Sequence, residues 1–393
     1  MPYDVIVIGA GAAGLMSALS AGQRGKSVLL LEANDRPGLK ILISGGGRCN
    51  FTNLGIAPQE YVSANPHFCK SALAQFTQHD FLRLVEHAGI AYYEKTLGQL
   101  FCRGSSREIL DMLLAQLEAA QVTLQTNVRI QTMAREQERF VVRTDTTAWT
   151  ARAVIIATGG LSFPKLGAND FGYRIARQFG HRVTPLAPAL DGFVLAAPEQ
   201  RVCARLAGVS LAVALRVNRR TFTENILFTH VGLSGPAALK ASLYWSSGDP
   251  LQIDCLPQIP DFADWLRAQR TAHPKRSLAV ALAAELPMRL VELVMQRSAL
   301  PLLNLADVSN AQLRLLATQL KPWTCTPVST VGYAKAEVTR GGVDTRDLSS
   351  QTMESKLIPG LFFVGEVVDV TGLLGGYNFQ WAWSSGWLAG QQV

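Results

Sequence analysis

The sequence predicts an α/β chain in which a Rossmann-like dinucleotide-binding domain is split by an inserted domain, β-rich first and then helical. Three observations predict it. The chain opens with a strand–turn–helix–strand unit that carries Gly9-Ala10-Gly11-Ala12-Ala13-Gly14. From about Tyr333 it returns to the same glycine-rich α/β texture. Between the two lie short strands with turn signals, then amphipathic helices. The expected boundaries are 1–187 and 333–393 for the two parts of the nucleotide domain, and 188–332 for the insertion, β-rich over 188–258 and helical over 259–320.

Residues 3–8 form a short apolar run of the kind buried in a parallel sheet. An alanine-rich helix runs from Ala12 to about Arg24, and Gly25 suits its left-handed cap. A second strand covers Ser27–Leu31 and ends at Glu32. In that context Gly9 permits the tight turn, Gly11 lets backbone approach a pyrophosphate, and Gly14 brings helix and strand close. Phosphates then sit on free N–H groups at the helix N-terminus. Glu32 lies 23 residues after Gly9, the spacing of a carboxylate that accepts from ribose hydroxyls.

Leu39–Asn53 reads as a glycine-rich loop, and Phe76–Ala88 and Arg107–Ala119 as amphipathic helices. Strands are expected over Val122–Ile130, Phe140–Thr144 and Ala153–Ala157, the last running into Thr158-Gly159-Gly160. Helices around Leu278–Arg297 and Ala311–Leu320 make up the helical part of the insertion. Val370–Val393 is uncharged, but its glycines, Asn378, Gln380, Ser384 and Ser385 suit a buried active-site helix better than a membrane span.

Composition narrows the function classes. Hydrophobic residues at 48% and charged residues at 17% fit a well-buried enzyme and argue against disorder. The six cysteines form no C-x-x-C pair and the six histidines no metal-ligand spacing, so no metal is expected and a reducing, cytoplasmic setting is. The net charge of +7 is mild, and basic clusters such as Arg216, Arg219 and Arg220 are not interleaved with aromatic residues. Nucleic acid is therefore an unlikely partner, membrane is excluded, and a small-molecule substrate is expected.

Which dinucleotide binds is not decided by the glycine motif. Gly38-Leu39-Lys40 and Ile43-Ser44-Gly45-Gly46-Gly47-Arg48-Cys49-Asn50-Phe51-Thr52-Asn53 resemble the signature of the YhiN/BaiN-like bacterial flavoproteins. The resemblance continues through Ala157–Gly160, Phe228–Pro236, Val338–Val343, Gly365-Glu366-Val367-Val368-Asp369 and Gly375–Gln380, essentially the whole chain. That family consists of FAD-dependent oxidoreductases, some named aminoacetone oxidases. It implies a glutathione-reductase-type fold holding non-covalent FAD in an extended pose. Ala12, Ala13 and Gly14 would face the pyrophosphate, Glu32 the adenosine ribose and Val128 the adenine. Gly365 and Asp369 would hold pyrophosphate and ribityl oxygens, Glu366, Thr158 and Gly159 would also bind the cofactor, and Gly376, Tyr377 and Asn378 would open a helix beneath the flavin pyrimidine. Two stretches depart from the family, Phe101-Cys102 in place of Phe-Pro and Gly167–Tyr173 in place of Gly-Ser-Thr-Gly-Asp-Gly-Tyr, and neither touches the phosphate or ribose sites.

Lys40, Gly45, Gly46, Arg48, Cys49 and Asn50 are expected beside the flavin, because so many glycines are costly unless close approach is required. Cys49 reads as a packing residue, whereas Arg48 and Asn378 are the candidates for catalysis. No second glycine motif follows another strand, so NAD(P)H is expected only as a transient reductant. The function these readings lead to is an FAD-dependent oxidoreductase on a small organic substrate. The alternative is a flavin-dependent RNA-modifying or RNA-binding protein.

Overall fold

The computed structural model describes residues 2–300 and 303–393, which divide into two compact units, Met1–Pro188 with Glu337–Val393 and Ala189–Ala336. The first unit is built on a seven-stranded sheet. Strand β1 (Tyr3–Ile8) lies at its centre, with Val5, Ile6 and Val7 wholly buried, as an apolar run covered on both faces requires. It pairs in parallel with β2 (Val28–Leu31) on one side and with Ala148–Ile156 on the other. Ala148–Ile156 then forks. Its first half pairs antiparallel with Arg139–Arg143, and its second half pairs in parallel with Leu361–Phe363. The returning C-terminal segment thereby completes the sheet begun at the N-terminus.

Helix α1 (Ala12–Gly22) packs between this sheet and the C-terminal helix Tyr377–Gly390. Small residues set the spacing of the two helices. A Cβ on Gly386 would stand 2.4 Å from the Ala13 carbonyl oxygen, and one on Gly390 2.6 Å from that of Ser17. Trp381 and Trp383 are buried on the same helix, and Trp383 stacks on Phe81 at 4.4 Å, so the tryptophan cluster is core. Among the described residues, no helix is long and apolar enough to cross a membrane.

Several elements differ from the sequence expectation, among them the strand expected over Ala153–Ala157, which starts at Ala148. The segment expected as loop holds a short helix Leu39–Ile43, a turn at Ser44–Gly47 and a strand Asn50–Asn53. Asn50 and Thr52 hide that strand from a hydrophobicity reading, and it exists because it pairs with Gln99–Cys102, which in turn pairs with Tyr92–Glu94. The strand expected over Val122–Ile130 is only Thr123–Gln125. Beyond it the chain turns at Asn127 (φ 58°), and the Asn127 and Val128 amides donate to the carbonyls of Asn34 and Glu32. Finally, Leu278–Arg297 is two helices, Leu278–Ala283 and Met288–Arg297, parted before Pro287, whose missing N–H cannot continue the first. The second unit carries its own seven-stranded antiparallel sheet and core, with Val213, Leu215 and Ile253 on the sheet and Leu266, Leu282 and Leu316 from the helices.

His181 fastens the two segments of the first unit. It is buried against Phe363, its Nδ1 lies 3.2 Å from the Ala176 carbonyl, and its Nε2 lies 2.7 Å from Ser355 Oγ. Burial holds its pKa below the ordinary value, against the opposing effects of the Ala176 carbonyl and Asp347. Below about pH 6.5 the unfolded chain therefore takes up a proton that the folded chain resists. Stability contributed by neutral His181 is full above that pH and is lost as pH falls toward the folded pKa. The unfolding midpoint in denaturant should drop on acidification from pH 7.5 to 5.5, and His181→Gln should flatten that dependence. An unchanged slope in the variant would show that other groups set it.

Candidate cofactor site

The N-terminus of α1 has no side-chain cap, so the amides of Ala12, Ala13 and Gly14 are left for another acceptor. The two glycines flanking them do different work. A Cβ on Gly14 would lie 1.8 Å from the Gly9 carbonyl oxygen, so this position holds the helix onto the turn. A Cβ on Gly11 would meet nothing within 4 Å, and its φ of −80° suits any residue. The open space that Gly11 faces is therefore a cradle kept clear, in front of uncapped amides that favour an anion.

Glu32 is nearly buried at the end of β2, with its carboxylate already engaged. Oε2 accepts from the Ala10 amide at 2.8 Å, and Oε1 accepts from the Asn34 amide and side chain at 2.9 and 2.8 Å. One carboxylate thus braces the glycine turn and the loop that Val128 joins, leaving at most one of its roughly four lone-pair positions open. Thr158 lies two residues beyond the strand Ala148–Ile156 with its Oγ1 buried and unpartnered, in the room that Gly172 leaves. Gly159 faces open space.

Lys40 and Glu366, both expected beside the cofactor, pair with each other at 2.6 Å. Glu366 also accepts from the Thr339 amide at 2.9 Å. Gly365 is held from both sides, its amide donating to Ser385 Oγ at 3.0 Å and its carbonyl accepting from Trp381 Nε1 at 3.0 Å. Ser385 reads in the sequence only as one polar residue of a buried active-site helix, and Trp381 reads as packing, so neither is assigned to Gly365 in advance. Asp369 accepts from the Ala64 amide at 3.1 Å. Burial pushes its carboxyl above the usual range and Asp344 adds to this, while Ala64, Thr184 and Arg340 act in the other direction. A ligand hydroxyl donating to this carboxylate would offset the burial.

The glycine run and the C-terminal helix meet across the small sheet of Asn50–Asn53, Gln99–Cys102 and Tyr92–Glu94. The amide orientation that satisfies all neighbours has Asn50 donating to the Leu100 and Thr52 carbonyls and accepting from Gly376 N at 3.2 Å. Asn53, which the sequence did not single out, donates to the Gly375 carbonyl at 2.8 Å. The helix itself starts at Tyr377 behind Gly376 (φ 97°), whose Cβ would stand 2.4 Å from the Thr52 carbonyl, and it has no side-chain cap. Tyr377 accepts from Tyr61 through its carbonyl at 2.9 Å. Asn378 folds back, accepting from the Gly372 amide and donating to the Gly372 carbonyl, both at 2.9 Å, so its side chain fixes the preceding turn. Of the run itself, Gly45 lies against Phe101 and Gly46 faces open space. Arg48 is exposed, with Nη1 3.4 Å from the Tyr93 hydroxyl. Cys49 is fully buried and burial pushes its thiol up to about 12, leaving negligible thiolate for redox chemistry.

These residues fit FAD. They supply two uncapped helix N-termini, an open cradle at Gly11 and acidic groups at Glu32 and Asp369.

Comparison with known proteins agrees. Residues 3–392 match the family described as HI0933-like protein Rossmann domain. Ribosomal RNA dihydrouridine synthase from Escherichia coli (strain K12) is 49% identical over 392 residues, covering 100% of this chain and 98% of that protein. The protein of the same name from Haemophilus influenzae is 45% identical over 97% of this chain and 96% of its own length. The 3-dehydro-bile acid delta(4,6)-reductase of Clostridium scindens is 30% identical, covering 98% of this chain and 97% of that protein. Among solved structures, a 3-ketosteroid-delta4-(5alpha)-dehydrogenase from Rhodococcus jostii RHA1 shares the fold at a TM-score of 0.50 and 16% identity, over 100% of this chain and 97% of that one.

Two of these relatives are named for ribosomal RNA, which overturns the expectation that nucleic acid is an unlikely partner and a small molecule the substrate. The physical reason is that whole-chain charge and clusters of neighbouring residues do not report patches assembled from separate segments.

Two substitutions separate cradle from scaffold. Gly11→Ala should fold with an unchanged melting temperature in its cofactor-free form yet lose FAD on dialysis, because the added methyl enters only the open space. Gly14→Ala should give little folded protein, since its methyl would collide with backbone. Retention of FAD by a folded Gly11→Ala variant would show that the cradle is not where the cofactor lies.

Proposed function

The chain belongs to the HI0933-like family of FAD-dependent oxidoreductases, and we propose that it reduces uridine in ribosomal RNA to dihydrouridine with NAD(P)H as reductant. The observation that carries this reading is the full-length identity of 49% and 45% to two proteins of that name. The overall change adds a hydride and a proton across the C5=C6 bond of uracil and converts NAD(P)H to NAD(P)+. FAD, when bound, supplies the hydride relay between the two.

The chain's own residues orient and stabilise. Ala12, Ala13 and Gly14 would hold the pyrophosphate through backbone N–H groups, Glu32 and Asp369 would accept from ribose and ribityl hydroxyls, and Val128 would border the adenine. The uncapped N-terminus at Gly376 and Tyr377 would favour negative charge on a flavin ring held there. Asn378 is a positioning residue that fixes the turn leading into this helix. Arg48 is exposed beside the glycine run and would engage an anionic group of the substrate.

A second reading is supported by the bile acid relative. Its name also describes reduction of carbon–carbon double bonds, and uracil C5=C6 is likewise conjugated to a carbonyl.

With FAD-replete protein, NADPH or NADH and ribosomal RNA from a strain lacking this enzyme, digestion and mass spectrometry should reveal a uridine-derived nucleoside heavier by two hydrogens. Absence of that product, with reductant consumed instead by a conjugated ketone, would favour the second reading. Arg48→Ala should retain FAD but slow RNA-dependent turnover on the order of a hundredfold, as loss of one preorganised donor does. An unchanged rate would remove Arg48 from the mechanism.

A further inference from the structure

We propose that one face of the small sheet is a platform for single-stranded RNA, on which a nucleobase next to the target uridine stacks on Tyr93 while Lys95 and Arg103 take flanking phosphates. This inference rests on the reading that the substrate is RNA.

The platform is assembled from three separate segments. Asn50, Phe101 and Tyr93 are register partners across the three strands, so they form one row. Tyr93 and Phe101 stack at 5.8 Å and 24°. Lys95 Nζ stands 5.4 Å over the Phe101 ring, Arg103 Cζ stands 5.8 Å over the Tyr93 ring, and Arg48 reaches the Tyr93 hydroxyl. All three cations are exposed, Tyr93 is half-buried, and Leu97 in the adjoining turn is 65% exposed.

Their electrostatics are unbalanced. Among the described residues, no carboxylate forms an ion pair with Arg48, Lys95 or Arg103. The nearby acids are engaged with other groups: Glu94 accepts from the Gly98 amide, Glu108 from the Ser105 amide and Glu86 from the Tyr92 hydroxyl. Tyr92 points to the opposite face and packs edge-on against Phe51. Three like charges gathered at two aromatic rings repel one another and lower their energy when an anion arrives. Cations interleaved with an accessible aromatic ring suit a single strand, whose bases offer π-faces and whose backbone offers phosphates. Duplex RNA would keep its bases stacked within the helix and unavailable to Tyr93.

Position joins the platform to the cofactor site. Asn50 at the inner end of the row accepts from Gly376 N, the residue that opens the C-terminal helix. Tyr93 at the outer end is two strand spacings away, about 10 Å. Gly45 lies against Phe101, so the glycine run borders the same face. A strand lying along this row would bring an adjacent base to the helix N-terminus.

The test measures binding of a fluorescent, uridine-containing single-stranded RNA by anisotropy over a range of salt, alongside dihydrouridine formation in ribosomal RNA. FAD content and melting temperature serve as controls. Lys95→Ala/Arg103→Ala should lower the log–log salt slope by about 1.4, at roughly 0.7 per phosphate contact on a single strand. It should raise KM for RNA while leaving FAD content and kcat unchanged. Tyr93→Ala should weaken binding roughly tenfold, and Tyr93→Phe, which keeps the ring, should restore it. If the parent protein modifies RNA and these variants match it in affinity, salt slope and KM, the platform is wrong and the RNA reading stands. If the parent neither binds nor modifies RNA, both are wrong.

Discussion

Backbone-to-backbone contact at the start of α1 is the constraint from which the nucleotide-binding unit follows. Gly14 sits so close to the Gly9 carbonyl that no side chain fits, and a Cβ on Gly386 would stand only 2.4 Å from the Ala13 carbonyl oxygen. The first turn of α1 is thus clamped between the sheet and the C-terminal helix. That clamp orients its uncapped amides, and Glu32 then braces the turn through Ala10. Fixed donors need not reorganise when an anion arrives, which is how a helix N-terminus becomes a phosphate site.

Much of this was legible in the sequence, because the glycine motif and β1 express local rules. Apolar runs reveal buried parallel strands, and glycine spacing reveals close approach. The strand Asn50–Asn53 was not legible, since its polar residues gain strand character only from partners far along the chain. Likewise, nothing local tells that Asn53, Ser385 and Trp381 hold Gly375 and Gly365 in place. Lys40 and Glu366 were recognised separately, but an ion pair across 326 positions is a property of the fold.

The same reasoning applies to the proposed platform. Arg48, Tyr93, Lys95 and Arg103 are scattered over three stretches, each with few charges, so a search for contiguous basic and aromatic runs passes over them. Strand pairing gathers them on one face. A mild net charge is compatible with a concentrated local field, because it is local charge density that an approaching polyanion meets.

The fork in the strand Ala148–Ile156 bears on how the protein is made. Its parallel neighbour Leu361–Phe363 and the helix that clamps α1 are both contributed by the last segment of the chain. During synthesis the N-terminal part emerges with one sheet edge unpaired and one face of α1 uncovered, while the intervening unit can fold around its own core. Closing contacts over such sequence separations is slow. Until that closure the exposed edge is open to mispairing. Closure of the nucleotide unit therefore waits until Leu361–Phe363 and Tyr377–Gly390 have been made.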